Sequence, residues 1–262
     1  MGVVAEAVQS TAFVAAACRA LETGRPHPRL RDEYAGRFVA AQEAGQTTRA
    51  RITDAGTDEV VQRSRLLDAA LIQAVSRQDD QVVLNLGAGF CARPYRLDLS
   101  GCRKVVECDA EAVMEVKNRV LADARPSCPV ERVVADVRSD LDLVLAACGD
   151  GPVIVLSEGL LVYLSRLELS ALATTLATAA QVRSWLADVV SESSAQGMRR
   201  VAAQAGARVI LHGMASLDEV ETTGWRCVDY RILPTPRRGG LAGTGAGAAS
   251  RQVVDGVVTW ER

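Results

Sequence analysis

The sequence predicts an α/β fold with a mostly parallel sheet and an antiparallel pair of strands at its end. Short strand-like runs alternate with helical segments between residues 82 and 157, which is the pattern of βαβ units. The first run, Val82–Leu86, is continuous and β-branched at its start, as expected for a parallel strand buried on both faces. Two more strand-like runs close the chain. A length of 262 residues fits one large domain, or one domain with a helical extension.

Helices are predicted before the first strand. The alanine-rich segment Thr11–Leu21 has Ser10 as its expected N-cap, and Gly24 followed by Pro26 as its stop signal. In the segment that directly precedes the strand, apolar residues fall on one helical face. These further helices are predicted at Arg31–Ala44 and Ser64–Arg77, with a polar stretch at Gly45–Asp58 between them.

The strands and helices that follow predict a sheet with right-handed crossovers. After Val82–Leu86, strands are predicted at Lys104–Cys108, Arg132–Ala135, Val153–Ser157 and Ser184–Val190. The helices between them are predicted at Glu111–Asp123, Asp140–Ala147 and Arg166–Ala180, the last opened by Ser165. Arg226–Leu233 and Val253–Trp260 complete the sheet as the antiparallel pair, and the glycine-rich Arg237–Ser250 between them is predicted to be a flexible loop.

Composition indicates a protein that acts on small molecules. Thirty basic and 32 acidic residues give a net charge of −2, which argues against nucleic-acid or anionic-membrane binding, and aromatic residues are only 4% of the chain. Seven cysteines form no CxxC pair, so we expect reduced thiols in a cytoplasmic protein and no metal site. No apolar run approaches the length of a membrane span, and no signal peptide is evident.

Polar or glycine residues end four consecutive predicted strands. Ligands of open parallel sheets bind at the carboxyl ends of the strands. Here those ends carry Gly87-Ala88-Gly89, Glu107-Cys108-Asp109, Asp136 and Ser157-Glu158-Gly159. Glycines allow close approach of a nucleoside, and Asp109 is suited to accept hydrogen bonds from ribose hydroxyls. Residues 87 to 92 also fit the GxGxxG/A pattern of dinucleotide enzymes, so this motif alone leaves a nicotinamide cofactor open.

A series of motifs in a fixed order narrows the choice. They are Ser10-Thr11-Ala12, Ala17 to Glu22, Asp32 to Ala35, Arg63 to Asp68, Asn85 to Gly89 with Arg93, Tyr95, Arg96 and Leu97, Glu107-Cys108-Asp109 with Lys117, and Glu158 to Leu164. Together they resemble the leucine carboxyl methyltransferase-like family of class I S-adenosylmethionine-dependent methyltransferases. That family includes bacterial natural-product O-methyltransferases, and the resemblance covers about residues 10 to 165.

The resemblance implies a Rossmann-like methyltransferase sheet, residues 79–262, with an N-terminal helical cap, residues 1–78, that covers the cleft and selects the substrate. It implies S-adenosylmethionine as cofactor and S-adenosylhomocysteine as product. The implied cofactor residues are Arg63, Gly87, Ala88, Gly89, Asp109, Ala110, Asp136, Val137, Glu158 and Gly159. Within this set the resemblance assigns Arg63 to the cofactor carboxylate, Asp109 to the ribose, Asp136 to adenine and Glu158 to the methionine amino group. Gly87 would line the methionine part.

Three points stay open in the sequence. Arg63 and Arg65 are both candidates for the carboxylate, but two positions apart on a helix they cannot share a face. The family usually has Asp-Thr where this chain has Cys91-Ala92. No catalytic base is evident; the candidate catalytic residues are His212, as a general base, and Tyr163, as a residue of the substrate pocket.

The predicted reaction is O-methylation, on a carboxyl or hydroxyl group, of a small natural-product intermediate. A carboxylate acceptor needs no base. The alternatives are a C- or N-methyltransferase, a non-methylating enzyme on the same scaffold, an NAD(P)-dependent oxidoreductase, and a cofactor-binding module without activity, as Cys91-Ala92 suggests. The sequence is also compatible with a homodimer.

Overall fold

A computed structural model describes residues 2–41, 52–204, 209–234 and 252–262, with the backbone alone for residues 2–10. In these ranges, seven strands form one sheet. The strands are β1 (Gln81–Leu86), β2 (Cys102–Asp109), β3 (Val130–Val134), β4 (Val153–Ser157), β5 (Val182–Val189), β6 (Arg226–Ile232) and β7 (Gly256–Glu261). Each predicted strand is present, with ends within about three residues of those predicted.

The sheet has the order β3-β2-β1-β4-β5-β7-β6. β1 to β5 run parallel, and β7 pairs antiparallel with both β5 and β6. This confirms the predicted α/β class, the mostly parallel sheet and the terminal antiparallel pair. The predicted loop Arg237–Ser250 lies outside the described residues.

Helices surround the sheet, and none in the described ranges is long and apolar enough to cross a membrane. They are α1 (Gly2–Thr23), α2 (Ala35–Ala40), α3 (Asp54–Val75), α4 (Arg93–Arg96), α5 (Glu111–Val120), α6 (Leu141–Cys148), α7 (Arg166–Thr178), α8 (Glu192–Gln204) and α9 (Asp218–Glu221), with a 3₁₀ turn at Leu161–Tyr163. The prediction that Ser165 opens a helix is confirmed, since it caps α7 in a capping box with Glu168. α4, α8, α9 and the 3₁₀ turn were not predicted.

The predicted starts of the first three helices are wrong. α1 begins at Gly2, so Ser10 lies inside it rather than at its N-cap. α2 begins at Ala35 because the Asp32 carboxylate accepts the backbone N–H groups of Tyr34 and Ala35, which forms a turn where a helix was expected. The rest of that predicted helix, residues 42–44, is outside the described ranges.

α3 also starts earlier than predicted, within the stretch expected to be polar loop. The side chain of Thr53 accepts from the backbone N–H of Gly56 and caps a helix that begins at Asp54. Residues 54–58 are therefore helical, whereas residues 45–51 of the same stretch are not described. The first turns of α3 carry mostly polar side chains, so apolar periodicity gave no signal there.

The core consists of layers on both faces of the sheet. α6 and α7 cover one face, where Trp185 of β5 packs against Trp260 of β7 with ring centroids 5.2 Å apart. α3 covers the other face and places Leu67 and Leu71 against β1 and β4. This second contact makes α3 a layer of the sheet sandwich, while the proposed substrate-selecting role of residues 1–78 stays a prediction.

α1 and α2 lie over the loop that follows β1. The ring of Phe90 stacks with Phe38 at 4.8 Å and contacts Phe13 at 4.5 Å between centroids. Arg19 of α1 is buried, pairs with Asp32 at 2.8 Å, and donates through Nη2 to the carbonyl of Phe90 at 2.8 Å. These contacts fix the N-terminal helices above the carboxyl ends of the strands, where the predicted site lies.

Candidate functional site

The loop after β1 has a backbone that favours glycine. Gly87 and Gly89 have φ angles of +61° and +46°, which L side chains rarely adopt. A Cβ at Gly87 would lie 3.0 Å from Cδ1 of Leu160, and the N–H of Ala88 is held by the carbonyl of Cys108 at 2.9 Å. The loop therefore presents bare backbone at the end of β1, as the sequence predicted.

Asp109 at the end of β2 is bound to this loop. Its carboxylate accepts the backbone N–H groups of Gly89 and Ala110, both at 2.7 Å. The side chain is buried, and burial raises the pKa of this carboxyl even though these two hydrogen bonds lower it. A carboxylate has about four acceptor positions, so capacity for ligand hydroxyls remains.

Glu158, directly after β4, is the centre of a buried charge cluster. It accepts from Ser64 Oγ at 2.6 Å, Arg63 Nε at 3.3 Å and Arg93 Nη1 at 2.7 Å. Burial alone would raise the pKa of this carboxyl, but the guanidinium groups of Arg93 and Arg63 hold it well below its usual range. Glu158 is therefore ionised, and its side chain caps no helix.

Asp188, near the end of β5, belongs to the same cluster and was missed in the sequence. It accepts the N–H of Gly159 at 2.6 Å and lies 3.3 Å from Nη1 of Arg63. Burial raises the pKa of Asp188, and the nearby charge of Arg63 opposes that rise. Asp188 lies inside the predicted strand Ser184–Val190 and not at its end, so the strand-end pattern did not point to it.

One arginine of the predicted pair faces the cluster. Arg63 is in contact with Glu158 and Asp188, and a Cβ on Gly159 would lie 3.6 Å from its Nη2. Arg65 is exposed to solvent. Of these two arginines, Arg63 therefore points to the cleft and Arg65 does not, as expected for residues two positions apart on a helix.

Arg93 contacts both the charge cluster and Cys91. Its fully buried guanidinium contacts Asp68 Oδ1 at 2.7 Å in addition to Glu158, and donates to Cys91 Sγ at 3.3 Å. The half-buried thiol therefore lies directly beside this cation. Ala92 is buried and precedes α4.

The remaining predicted cofactor residues follow β3. Asp136 is half-exposed and pairs with Arg138 at 2.8 Å, a hydrogen bond that lowers the pKa of Asp136. Val137 packs against the core. Burial raises the pKa of the Cys108 thiol to about 12, and the nearby carboxylates of Asp109 and Asp136 add to that rise. The acids that end β2 and β3 therefore lie close to one point.

The structure thus places every predicted cofactor residue at the carboxyl edge of the sheet. Arg63 meets Glu158 and Gly159 at one end of this edge, Asp109 meets Gly89 at its middle, and Asp136 lies at the other end. In the described part of the chain, no group of three or more His, Cys, Asp or Glu side chains is arranged to hold a metal ion.

The two catalytic candidates have different surroundings: Tyr163 ends the 3₁₀ turn, and His212 contacts that turn through its backbone. The phenol of Tyr163 shares a hydrogen bond with the side chain of Thr11 on α1 and lies near Arg63, and burial raises the pKa of Tyr163. His212 instead lines a cavity beneath α8. Its backbone N–H donates to the carbonyl of Val162 at 2.6 Å.

This cavity, here named the α8 cavity, has a volume of about 600 Å³. Its apolar wall comes from the segment after β4, the end of β5, α7 and the segment before α9: Leu161, Val162, Leu164, Leu169, Val189 and Met214. The inward side of α8 adds polar groups: Glu192, Ser193, Gln196 and Arg199. Ligand pockets typically enclose about 300–1,000 Å³, so the size suits a small organic molecule.

Gly213 closes this cavity against the start of α8. A Cβ at Gly213 would lie 2.3 Å from Cα of Glu192 and 2.5 Å from the carbonyl oxygen of Ser191, both backbone atoms. Gly213→Ala is expected to lower the free energy of unfolding by about 1–3 kcal/mol, because backbone must shift to admit the methyl group. Urea denaturation measures this.

Gly197→Ala is the matched control, since nothing lies within 4 Å of its Cβ position and it is inside α8. We expect that change to be neutral or to stabilise by up to about 1 kcal/mol. Equal urea midpoints for the two variants would contradict the tight packing at Gly213.

Comparisons with known proteins identify similar chains. A family model described as Leucine carboxyl methyltransferase matches residues 12–177. A relative from Mycolicibacterium smegmatis, named "Putative S-adenosyl-L-methionine-dependent methyltransferase", is 30% identical over 228 residues, covering 80% of this chain and 71% of the relative. One of the same name from Streptomyces coelicolor is 35% identical over 182 residues, covering 63% and 60%. A Mycobacteroides abscessus relative, 33% identical, is matched over 56% of its length. Two of these three relatives are therefore matched over less than two thirds of their length.

Solved structures support the fold. A putative methyltransferase from Thermobifida fusca has a TM-score of 0.61 at 15% identity, covering 96% of this chain and 94% of its own. The magnesium protoporphyrin IX methyltransferase of Synechocystis, solved with bound S-adenosylhomocysteine, has a TM-score of 0.53 at 13% identity, covering 88% and 100%. At such identities the likeness shows a shared fold.

Proposed function

The chain belongs to the leucine carboxyl methyltransferase family, and from this membership we propose that it is an S-adenosylmethionine-dependent methyltransferase that methylates an oxygen atom of a small molecule. The observation that carries the proposal is the charge cluster around Glu158. It combines a largely buried cation, Arg63, with two acids, Glu158 and Asp188, at adjoining strand ends beside the glycine loop.

The residues present fit this cofactor. A methionine moiety carries a carboxylate and an ammonium group, and a planar guanidinium suits the former while a carboxylate suits the latter. Arg63 would hold the carboxylate, and Glu158, with three of about four acceptor positions used, retains one for the ammonium group. Asp109 would hold the ribose, and Gly87 and Gly89 leave space for close approach.

The cofactor supplies an already activated methyl group when bound. This chain's residues then have to align the two reactants and exclude water, which can supply a large part of the rate enhancement. α1 contributes to that exclusion, because Phe13 and Arg19 pack it onto the loop that follows β1.

We further propose that the acceptor is a small natural-product intermediate, methylated on a carboxyl or hydroxyl group. The α8 cavity supports this, since its volume of about 600 Å³ suits a small molecule. Its walls follow Glu158 and Asp188 in the chain, so acceptor and donor would meet at the same strand ends.

Calorimetry with S-adenosylhomocysteine and NADH tests the proposal. We expect S-adenosylhomocysteine to bind one site per chain, and NADH to give no binding heat. Binding of NADH without binding of S-adenosylhomocysteine would replace the proposal with the oxidoreductase alternative. Mass spectrometry of extract metabolites incubated with S-adenosylmethionine would then detect the acceptor by its gain of one methyl group.

A further inference from the structure

The α8 cavity has an apolar floor and a polar cover. α8 buries one residue, Ala195, of its thirteen, and its outward side carries exposed Met198 and Val201. The side that faces the cavity is polar, with Gln196 and Arg199 opposite an apolar floor. A cover of this kind suits a ligand with an apolar body and oxygen groups on its periphery.

The cavity adjoins the proposed cofactor site at the carboxyl ends of β4 and β5, although the two share no lining residue in the described part of the chain. Asp188 contacts Gly159 and Arg63 on the side of α3, and the next residue along β5, Val189, lines the cavity on the side of α7. Glu158 and Gly159 are likewise followed by the 3₁₀ turn, whose Leu161 lines the cavity. A molecule in the cavity would therefore lie near the same strand ends as the proposed methyl donor.

His212 is fixed at the wall of this cavity. Its backbone N–H donates to the carbonyl of Val162 at 2.6 Å, and the adjacent Gly213 is packed tightly against the start of α8. Within the described ranges, its imidazole has no hydrogen-bond partner in the protein. Glu168 lies near the imidazole. Hydrogen bonds with Ser165 lower the pKa of Glu168, and the nearby His212 adds to that lowering.

We propose that His212 is the general base for methylation of a hydroxyl group, and that the acceptor is a hydroxylated small molecule with an apolar body bound in the α8 cavity. This rests on the proposed methyltransferase function. The hydroxyl oxygen forms a bond to the methyl carbon as the carbon–sulfur bond breaks, the electron pair of that bond stays on sulfur, and the hydroxyl proton passes to a ring nitrogen of His212. A carboxylate acceptor would leave this base without a purpose.

Charged side chains from three elements surround His212. They are Arg166 and Glu168 of α7, Glu192 and Arg199 of α8, and Glu219 of α9. Arg166 and Glu219 lie 3.7 Å apart and offset each other.

Binding of 2-naphthol and 2-naphthoic acid to the protein saturated with S-adenosylhomocysteine tests the site. Gln196→Trp would fill the cavity from an exposed helical position, while Val201→Trp, on the outward side of α8, is the matched control. We expect Gln196→Trp to weaken 2-naphthol binding at least tenfold and Val201→Trp to change it less than twofold. Equal effects would overturn the placement in the cavity.

Nuclear magnetic resonance of the imidazole groups gives a readout independent of turnover. The chain has two histidines, His27 and His212, so the variant His27→Gln assigns both sets of signals. We expect 2-naphthol to shift the signals of His212 and leave those of His27 unchanged. Absence of any shift at His212 would overturn its role.

Turnover completes the test. We expect the wild-type protein to convert 2-naphthol into 2-methoxynaphthalene. His212→Asn is expected to reduce kcat about 100-fold or more and to abolish the fall of kcat/KM on acidification. The affinity of this variant for S-adenosylhomocysteine should stay within twofold of wild type. Methylation of 2-naphthoic acid alone, a threefold effect or less in His212→Asn, or no methylation of either probe would overturn the inference. If the wild-type protein does not bind S-adenosylhomocysteine, the proposed function itself is refuted.

Discussion

Glutamine in place of Glu158 is expected to weaken S-adenosylhomocysteine binding by about 100-fold while the protein stays folded. Removing one partner of a buried charge-assisted hydrogen bond costs about 2–5 kcal/mol of binding free energy. The fold should tolerate the change because the two arginines keep other partners, Asp188 for Arg63 and Asp68 for Arg93. Calorimetry gives the affinity, and a thermal melt confirms folding.

Glu111→Gln provides the matched control for this change. Glu111 is an exposed carboxylate at the first position of α5, outside the cluster, and its replacement should alter S-adenosylhomocysteine affinity less than twofold. If Glu158→Gln lowers the melting temperature but leaves the affinity within threefold of wild type, the cluster is a structural ion-pair network and not a cofactor site.

Lys117→Met is expected to destabilise the fold by about 3–5 kcal/mol. The side chains of Lys117 and Glu107 are both fully buried, with Nζ 2.7 Å from Oε1. The change would leave Glu107 in the core with a single cation, Arg132, at 2.9 Å, and a buried charge that loses a partner is costly. The midpoint of urea denaturation measures the loss.

Lys104→Met is the control for this prediction, because it removes the same charge from an ion pair at the surface. Lys104 pairs with Glu131 at 2.8 Å at the surface, where such pairs contribute about 1 kcal/mol or less. A second substitution, Glu107→Gln in the Lys117→Met protein, should recover part of the lost stability because it removes the buried carboxylate that has lost one of its two cations. Similar urea midpoints for Lys117→Met and Lys104→Met would refute the role of the buried pair.

Much of the fold was predictable because the signals are local. Buried parallel strands such as Val153–Ser157 are continuous apolar runs, and the capping box at Ser165 is contained in four residues. The start of α3 was not predictable from periodicity, because its first turns are polar and a single capping residue, Thr53, begins the helix.

Some residues of the candidate site could be predicted from the sequence and others could not. Strand ends are local features, and so the acids Asp109, Asp136 and Glu158 could be located before their surroundings were known. Asp188 was missed because it lies within the predicted strand 184–190, one residue before the end of β5 in the structure. α8 was not predicted either, since it is mostly polar and buries a single residue.

The sequence by itself determined the order of the elements, the parallel sheet and the chemical groups at the strand ends, because each depends on residues close together in the chain. Only the tertiary structure decided which of these groups meet. Arg63 and Glu158 are 95 positions apart, and their contact depends on how α3 packs on the sheet. The α8 cavity likewise exists only between α7, α8 and the strand ends, since a cavity is a property of packed elements and not of any one segment.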